Sequence, residues 1–392
     1  MKILAFLTVE YPVGGLQKTS DLLPKVLAYF IRLKKRGHDI VLVMPSPLGT
    51  KYGYKNEFDI DIYTMPRTKF VLFRYFGLVN IFKKADVIFV MDDHWGALFA
   101  VFMKHFFKIP YAHHHCFPME IEGERIAVLE NTKLPLNRYI KSKLHHFIIY
   151  FSMKRADVIF AISKYRGERI TRRGIPPENI VVLSPGTDIT LFNSDTSGEE
   201  VRKKFALNNK KVIVCVTSIA KFRKPEILLE IAAYLKKYIK DFVVLIVGFG
   251  IFEDEFRKLI KKEGLEKEVI LTGRVSHKDV PGFIAAADVA LSPVPPDELY
   301  IDCAPNKIFE YLSMHKPIVA SRVPFHEEMV ERTGCGLVVP FKAEAFGDAI
   351  IEIFNELDNK KTFCHKNIEE FSYEKRVDTL ESVFKKLVSK KI

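Results

Sequence analysis

The sequence predicts an α/β protein made of two doubly wound parallel-sheet units in tandem. Short β-branched, apolar runs alternate with longer amphipathic stretches almost from end to end. That rhythm restarts after a polar stretch at residues 193–200. A length of 392 residues is enough for two or three domains.

The elements follow in order. Apolar residues 3–9 read as a first buried strand, 19–36 as a helix, and Gly37-His38-Asp39 leads into a strand over 40–44. Further strands are expected over 86–91, 109–113, 157–162 and 180–183, the last after the Gly174-Ile175-Pro176-Pro177 break. The second unit opens with a continuous apolar strand over 211–218 and a helix near 225–239. Strands over 242–248, 269–273 and 288–292 come next, separated by helices. A helix near 305–315 precedes strands over 317–321 and 336–340. We place the first unit at 1–190, the second at 191–370 and a C-terminal helical segment at 371–392. In doubly wound sheets ligands sit at the carboxyl ends of the strands. Two such units would present these ends to each other across a cleft.

Composition removes several classes. With 48% hydrophobic and 28% charged residues and a mean hydropathy of +0.03, the chain is neither disordered nor fibrous. Cys116, Cys215, Cys303, Cys335 and Cys364 are odd in number and widely spaced, without a Cys-x-x-Cys pair. Neither a zinc ribbon nor a disulfide framework is indicated, and a reducing compartment fits. The apolar start at 3–7 runs into Thr8-Val9-Glu10-Tyr11 with no small-residue cleavage site, so it reads as a strand and not a signal segment. No run of about 18 apolar residues occurs. A cytoplasmic protein is expected, at most peripheral on the inner face of the membrane.

The net charge is +12, and residues 1–200 hold 28 basic against 20 acidic residues. Lys133, Arg138, Lys141, Lys143, Lys154 and Arg155 bracket the apolar run at 147–151. Basic residues interleaved with large apolar ones suit an anionic membrane surface, with 133–155 as the contact. A core helix with a basic polar face reads the same way. Aromatic RNP strands, zinc fingers and basic coiled coils are absent, so no nucleic-acid partner is expected.

The densest chemistry lies between Asp302 and Glu310. Pro305 suits the first turn of a helix, where its missing N–H costs nothing. Amides around Asn306 and Lys307 would then point out of the helix start as an anion site. Asn306 and Lys307, four and three residues before Glu310, share a face with it, and Asp302 stands just ahead. A helix dipole and a lysine suit a diphosphate, and carboxylates suit ribose and sugar hydroxyls. A solvated helix start with incidental acids would show the same spacing.

Several ordered motifs make the chain resemble the retaining glycosyltransferases of family four, which have the two-Rossmann GT-B fold. They are Pro12-Val13-Gly14-Gly15, Lys35-Arg36-Gly37-His38, Ala156 to Ser163, and Pro185-Gly186-Thr187-Asp188 with Phe192. Val247-Gly248-Phe249-Gly250, Leu271-Thr272-Gly273-Arg274 and Asp302-x7-Glu310 complete the set. The resemblance implies that Glu310 holds the nucleotide ribose and that Asp302, one methylene shorter than the family's Glu, contacts the transferred sugar. It implies that Gly14 and Gly15 let the backbone approach the donor phosphates, with Gly248 in the donor core. The family's phosphate-gripping Arg and Lys correspond to Ile219 and Lys224, so Arg223 or Lys221 is left to replace the missing Arg. The chain's last helix would cross back to the first domain.

Pro110 to Cys116 resembles the strand end that carries the family's active-site histidine. His115 is favoured, with His113 as the alternate. Adjacent side chains on a strand point to opposite faces, so His113, His114 and His115 cannot form one metal site. Asp92-Asp93-His94-Trp95 is tempting as a metal-binding acidic motif but reads as a strand-end turn, and no metal or cofactor is expected. The resemblance implies transfer of a sugar, with retention, from a UDP- or GDP-linked donor to a glycan or lipid-linked acceptor. A sugar-nucleotide epimerase or phosphorylase of the same fold is the alternative, as is a nonenzymatic nucleotide or nucleic-acid binder.

Overall fold

The structure is a computed structural model that describes residues 1–8, 23–46, 53–66, 75–116, 135–298, 300–358 and 368–390. Backbone contacts divide the chain into two units, Met1–Ser184 with Tyr373–Ile392, and Pro185–Ser372. The division falls at Ser184 and not at 190, because the turn after it belongs to the second unit. There the Thr187 N–H donates to the Phe371 carbonyl at 2.9 Å, and Thr187 bridges to Ser372.

The first unit holds strands β1 (Lys2–Leu7), β2 (Asp39–Ser46), β3 (Gly53–Glu57), β4 (Ile60–Pro66), β5 (Val87–Met91), β6 (Tyr111–His115), β7 (Val158–Ala161) and β8 (Ile180–Val182). Their order across the sheet is β3-β4-β2-β1-β5-β6-β7-β8, and every pairing is parallel except β3 with β4. The pleat sorts β1 between two cores. Ile3, Ala5 and Leu7 pack with Phe30, Phe89 and the C-terminal helix, whereas Leu4 and Phe6 pack with Phe82, Phe99 and Met103. Continuous apolar strands are what a sheet covered on both faces requires.

Two local differences from the sequence expectation matter. Strand β6 starts and ends two residues later than expected, which makes His115 its last residue. The β3–β4 hairpin was not expected at all. Its first strand, Gly-Tyr-Lys-Asn-Glu, lacks apolar alternation, and its turn is Phe58-Asp59, both with positive φ (54° and 58°). Asn-Gly or Asp-Gly is the usual signal for such a turn, so Phe-Asp carries none.

The C-terminal helix Tyr373–Ser389 packs on the helix Leu23–Lys35 of the first unit. Tyr373, Val377, Leu380 and Phe384, at spacings of three and four, are buried in the same core as β1. Around this seam Arg36 contacts Glu374, Asp378 and Glu381 at 2.8–2.9 Å, and His38 lies 3.2 Å from Glu381. Lys385, then Arg36 and His38, hold the Glu381 carboxyl down to about 2. A depressed carboxyl contributes stability above its ordinary pKa, and that stability is lost as the pH falls toward 2. Arg36→Ala should therefore cost about 1–2 kcal/mol at pH 7 and clearly less near pH 3. Urea unfolding of both proteins at the two pH values measures this; a gap unchanged with pH would remove Glu381 from the account.

The second unit holds β9 (Lys211–Val216), β10 (Phe242–Val247), β11 (Val269–Leu271), β12 (Val289–Ser292), β13 (Ile318–Ser321) and β14 (Gly336–Val339). All pairings are parallel, in the order β11-β10-β9-β12-β13-β14. This is the 3-2-1-4-5-6 arrangement of the dinucleotide-binding fold, which reverses between β9 and β12. Beyond the carboxyl ends of these two strands lie the loop at 217–224 and the helix Asn306–Ser313.

Candidate functional site

The helix Asn306–Ser313 starts one residue later than the sequence suggested, so Pro305 is its N-cap and lies outside the first turn. Pro305 has no side-chain acceptor for the leading amides, and the first-turn N–H groups of Asn306 and Lys307 have no intrahelical partner. Tyr311 anchors this helix to the switch point. Its buried hydroxyl accepts from the Val216 N–H at 2.8 Å and donates to the Leu291 carbonyl at 3.3 Å, tying the ends of β9 and β12.

Glu310 and Asp302 are both buried, at 4% and 2% exposure. His277, from the segment after β11, places its Nε2 3.8 Å from a Glu310 carboxylate oxygen, and its ring meets Phe192 edge-on. Lys307 is half-buried. Burial lowers its ammonium below the usual lysine range, and the Arg223 cation adds to this, while Cys215 and Glu310 pull the other way. Burial raises the Cys215 thiol, opposed by Lys307 and Arg223. Arg223, Lys307, Cys215 and Glu310 thus share one electrostatic neighbourhood.

The loop after β9 explains the missing arginine. Ile219 is fully buried in the apolar core of the unit, with its backbone tied to Phe249 and Phe252. A side chain aimed into that core holds no charge, so a cation must come from further along. Arg223 closes the short turn Lys221–Arg223 and lies over the rings of Phe222 and Tyr300, 5.9 and 5.3 Å from their centroids. Lys221 and Lys224 are exposed. Lys224 adopts a left-handed conformation (φ 50°) and lines a separate opening with Glu226, Glu230, Tyr234 and Lys342. Gly248 is required by close packing. Its φ is +146°, and a Cβ there would stand 1.9 Å from the Thr217 carbonyl oxygen.

Behind Lys307 lies a polar network the sequence did not reveal. Burial pushes His326 down to about 4, so its ring is neutral; the Ser321 carbonyl pulls it up and Lys307 lowers it. Nδ1–H then donates to the Ser321 carbonyl at 2.7 Å, and the Ser292 hydroxyl donates to Nε2 at 3.1 Å. This fastens the ends of β12 and β13 beneath the helix start.

In the first unit, His113 and His115 lie on one face of β6 with ring centroids 6.0 Å apart, and His114 lies on the other, against Phe89 and Phe160. Burial pushes His114 down to about 4. His113 is bonded to the Tyr111 hydroxyl. His115, 1% exposed, accepts at Nε2 from the buried Arg166 guanidinium, which leaves Nδ1–H facing Asp92 at 3.4 Å. Asp92 also accepts the Cys116 N–H at 3.0 Å from a left-handed backbone (φ 53°). Asp93 caps the helix His94–Phe107 by accepting from the Trp95 N–H. Among the described residues no cluster of three or more His, Cys, Asp or Glu is arranged to hold a metal ion. Gly14 and Gly15 lie outside the described residues.

Sequence reading did not name Arg166 or His277 and did not connect the strand-end Asp92 to His115. Arg166 and Asp92 reach His115 from 51 and 23 residues away, and His277 reaches Glu310 from 33 residues away, so no local spacing marks them.

Comparison with known proteins agrees with this architecture. A family model described as Glycosyltransferase Family 4 matches residues 26–191, and one described as Glycosyl transferases group 1 matches residues 197–371. The alpha-D-kanosaminyltransferase of Streptomyces kanamyceticus is 27% identical over 52% of this chain and 52% of its own length. A GDP-mannose-dependent alpha-(1-6)-phosphatidylinositol monomannoside mannosyltransferase of Mycobacterium tuberculosis is 25% identical over 57% of this chain and 59% of its own. The chain thus spans little more than half the length of these curated relatives. Among solved structures, sucrose-phosphate synthase from Thermosynechococcus elongatus superposes with a TM-score of 0.74 at 16% identity, over 99% of both chains. Anabaena HepE in complex with UDP superposes with a TM-score of 0.72 at 15% identity, over 98% of this chain and 100% of that one. These likenesses show the fold, which is GT-B. With the two family models together accounting for most of its length, the chain belongs to the family-four, group 1 glycosyltransferases.

Proposed function

We propose that the protein transfers a sugar from a nucleoside-diphosphate sugar to an acceptor, with retention at the anomeric carbon. The observation that carries this is the convergence of Arg223, Lys307 and the buried Glu310 at the switch point of the second sheet. A helix start and two cations suit a departing diphosphate, and a buried carboxylate suits paired hydroxyls. The chemistry is then largely electrostatic, since charge grows on the diphosphate as the glycosidic bond breaks. Arg223 and the amides of Asn306 and Lys307 stabilise that charge. Lys224 adds to it if the loop turns toward the ligand. Glu310 orients the ribose and Asp302 the sugar. The family resemblance alone assigns His115, held by Asp92 and Arg166, to the acceptor-binding unit's share of the reaction.

A UDP or GDP donor is favoured because one relative is named GDP-mannose-dependent and one structural neighbour was solved with UDP. A lipid-linked or glycan acceptor fits the basic-aromatic helix of the first unit. The protein's own cations supply the charge, so the rate should survive EDTA. The test is nucleoside-diphosphate release from a panel of UDP-, GDP- and ADP-sugars, with and without a membrane-lipid extract. Release that needs one donor and the extract together supports transfer and names the donor. Turnover of the donor alone points instead to hydrolysis or epimerisation, and silence across the panel overturns the reading.

A further inference from the structure

The helix Leu136–Met153 is apolar on two sides. Ile148, Ile149, Ser152 and Met153 are buried against the unit. Leu136, Ile140, Leu144 and Phe147 are 72%, 59%, 48% and 65% exposed. At 100° per residue these four fall within an arc of about 80°, a continuous stripe facing away from the core. Large apolar side chains gathered in this way mark an interaction surface.

Charge identifies the occupant. Residues 135–155 include Arg138, Lys141, Lys143, Lys154 and Arg155 and no Asp or Glu. Lys143 and Arg155 lie along the aromatic surface, with Lys143 Nζ 5.0 Å from the Tyr139 ring centroid and the Arg155 guanidinium 3.7 Å from that of Phe151. Cationic heads resting on aromatic rings beside an apolar stripe suit an interface between acyl chains and anionic headgroups. A second copy fits poorly, because a two-fold contact would set this all-cationic stretch against itself. No helix among the described residues is long and apolar enough to cross a membrane, so the contact would lie along the surface.

We propose that this helix face docks the protein on an anionic lipid bilayer. The inference goes beyond sugar transfer and stands without it. Flotation is measured with vesicles of phosphatidylcholine alone and with ~30% phosphatidylglycerol added. The wild type should float with the anionic vesicles. Ile140→Ser with Phe147→Ser should lower the floated fraction about tenfold, as should Lys143→Gln with Arg155→Gln, on the anionic vesicles only. The serines replace exposed groups, so an unchanged thermal melt reports an intact fold. Wild type that stays down with anionic vesicles overturns the proposal. So does a dimer that the serine pair dissociates while vesicle binding is absent in both proteins. Glu310→Ala should float like wild type, so loss of transfer and loss of docking are read separately.

Discussion

Glu310→Ala should lower donor-dependent turnover by about 10²-fold or more while leaving the melting temperature close to that of the wild type. Glu310 is buried beside His277, away from the fold's own anchor on that helix, which is Tyr311. A hydroxyl bonded to a carboxylate contributes about 1.5–3 kcal/mol, so two such bonds to a ribose are enough for this loss. Truncation opens space at the site and not in the apolar core, which is why stability should hold. Glu310→Gln keeps the shape and one acceptor, and should fall between the two. The check is kcat/KM with the donor identified from the panel, alongside a thermal melt of each variant. Near-normal turnover in Glu310→Ala would sink the assignment of this site.

Arg223→Ala should cost more than Lys224→Ala. Arg223 is half-buried against Phe222 and Tyr300 and shares a field with Lys307, so its charge acts where water screens poorly. Removing a preorganised charge of that kind costs about 10²–10³ in rate. Lys224 is exposed and lines a different opening, and its loss should cost about tenfold or less. Single-turnover rates and donor affinities for both variants decide the order. If Lys224→Ala is the more damaging, the loop must reorganise on binding and the phosphate role passes to Lys224. From the sequence, Lys224 matched the family's Lys while Arg223 and Lys221 stayed open as replacements for the missing Arg, because a short irregular turn has no period from which to read direction.

The same contrast runs through the whole molecule. The parallel strands were legible because burial on both faces demands continuous apolar runs, and β1, β5, β9 and β10 all have them. The β3–β4 hairpin was not, since its exposed strand has no apolar period and its Phe58-Asp59 turn has no Gly. Asn306, Lys307 and Glu310 were readable as one group because three- and four-residue spacing is a property of the helix itself. Their dependence on Tyr311, which bonds to residues 95 and 20 positions away, was not.

By itself, then, the sequence determined what is periodic: two doubly wound sheets, a helix near 305–315, and the opposed faces of His113 and His114. Only the tertiary structure decided what is non-local. It buried Ile219 where a cation would otherwise be expected and brought Arg223 beside Lys307. It set His277 against Glu310, and Asp92 and Arg166 about His115. The physical reason is range. Backbone period acts over a few residues and is written in adjacent letters, whereas a charge–charge or hydrogen-bonded contact exists only once the sheet has brought its strand ends together.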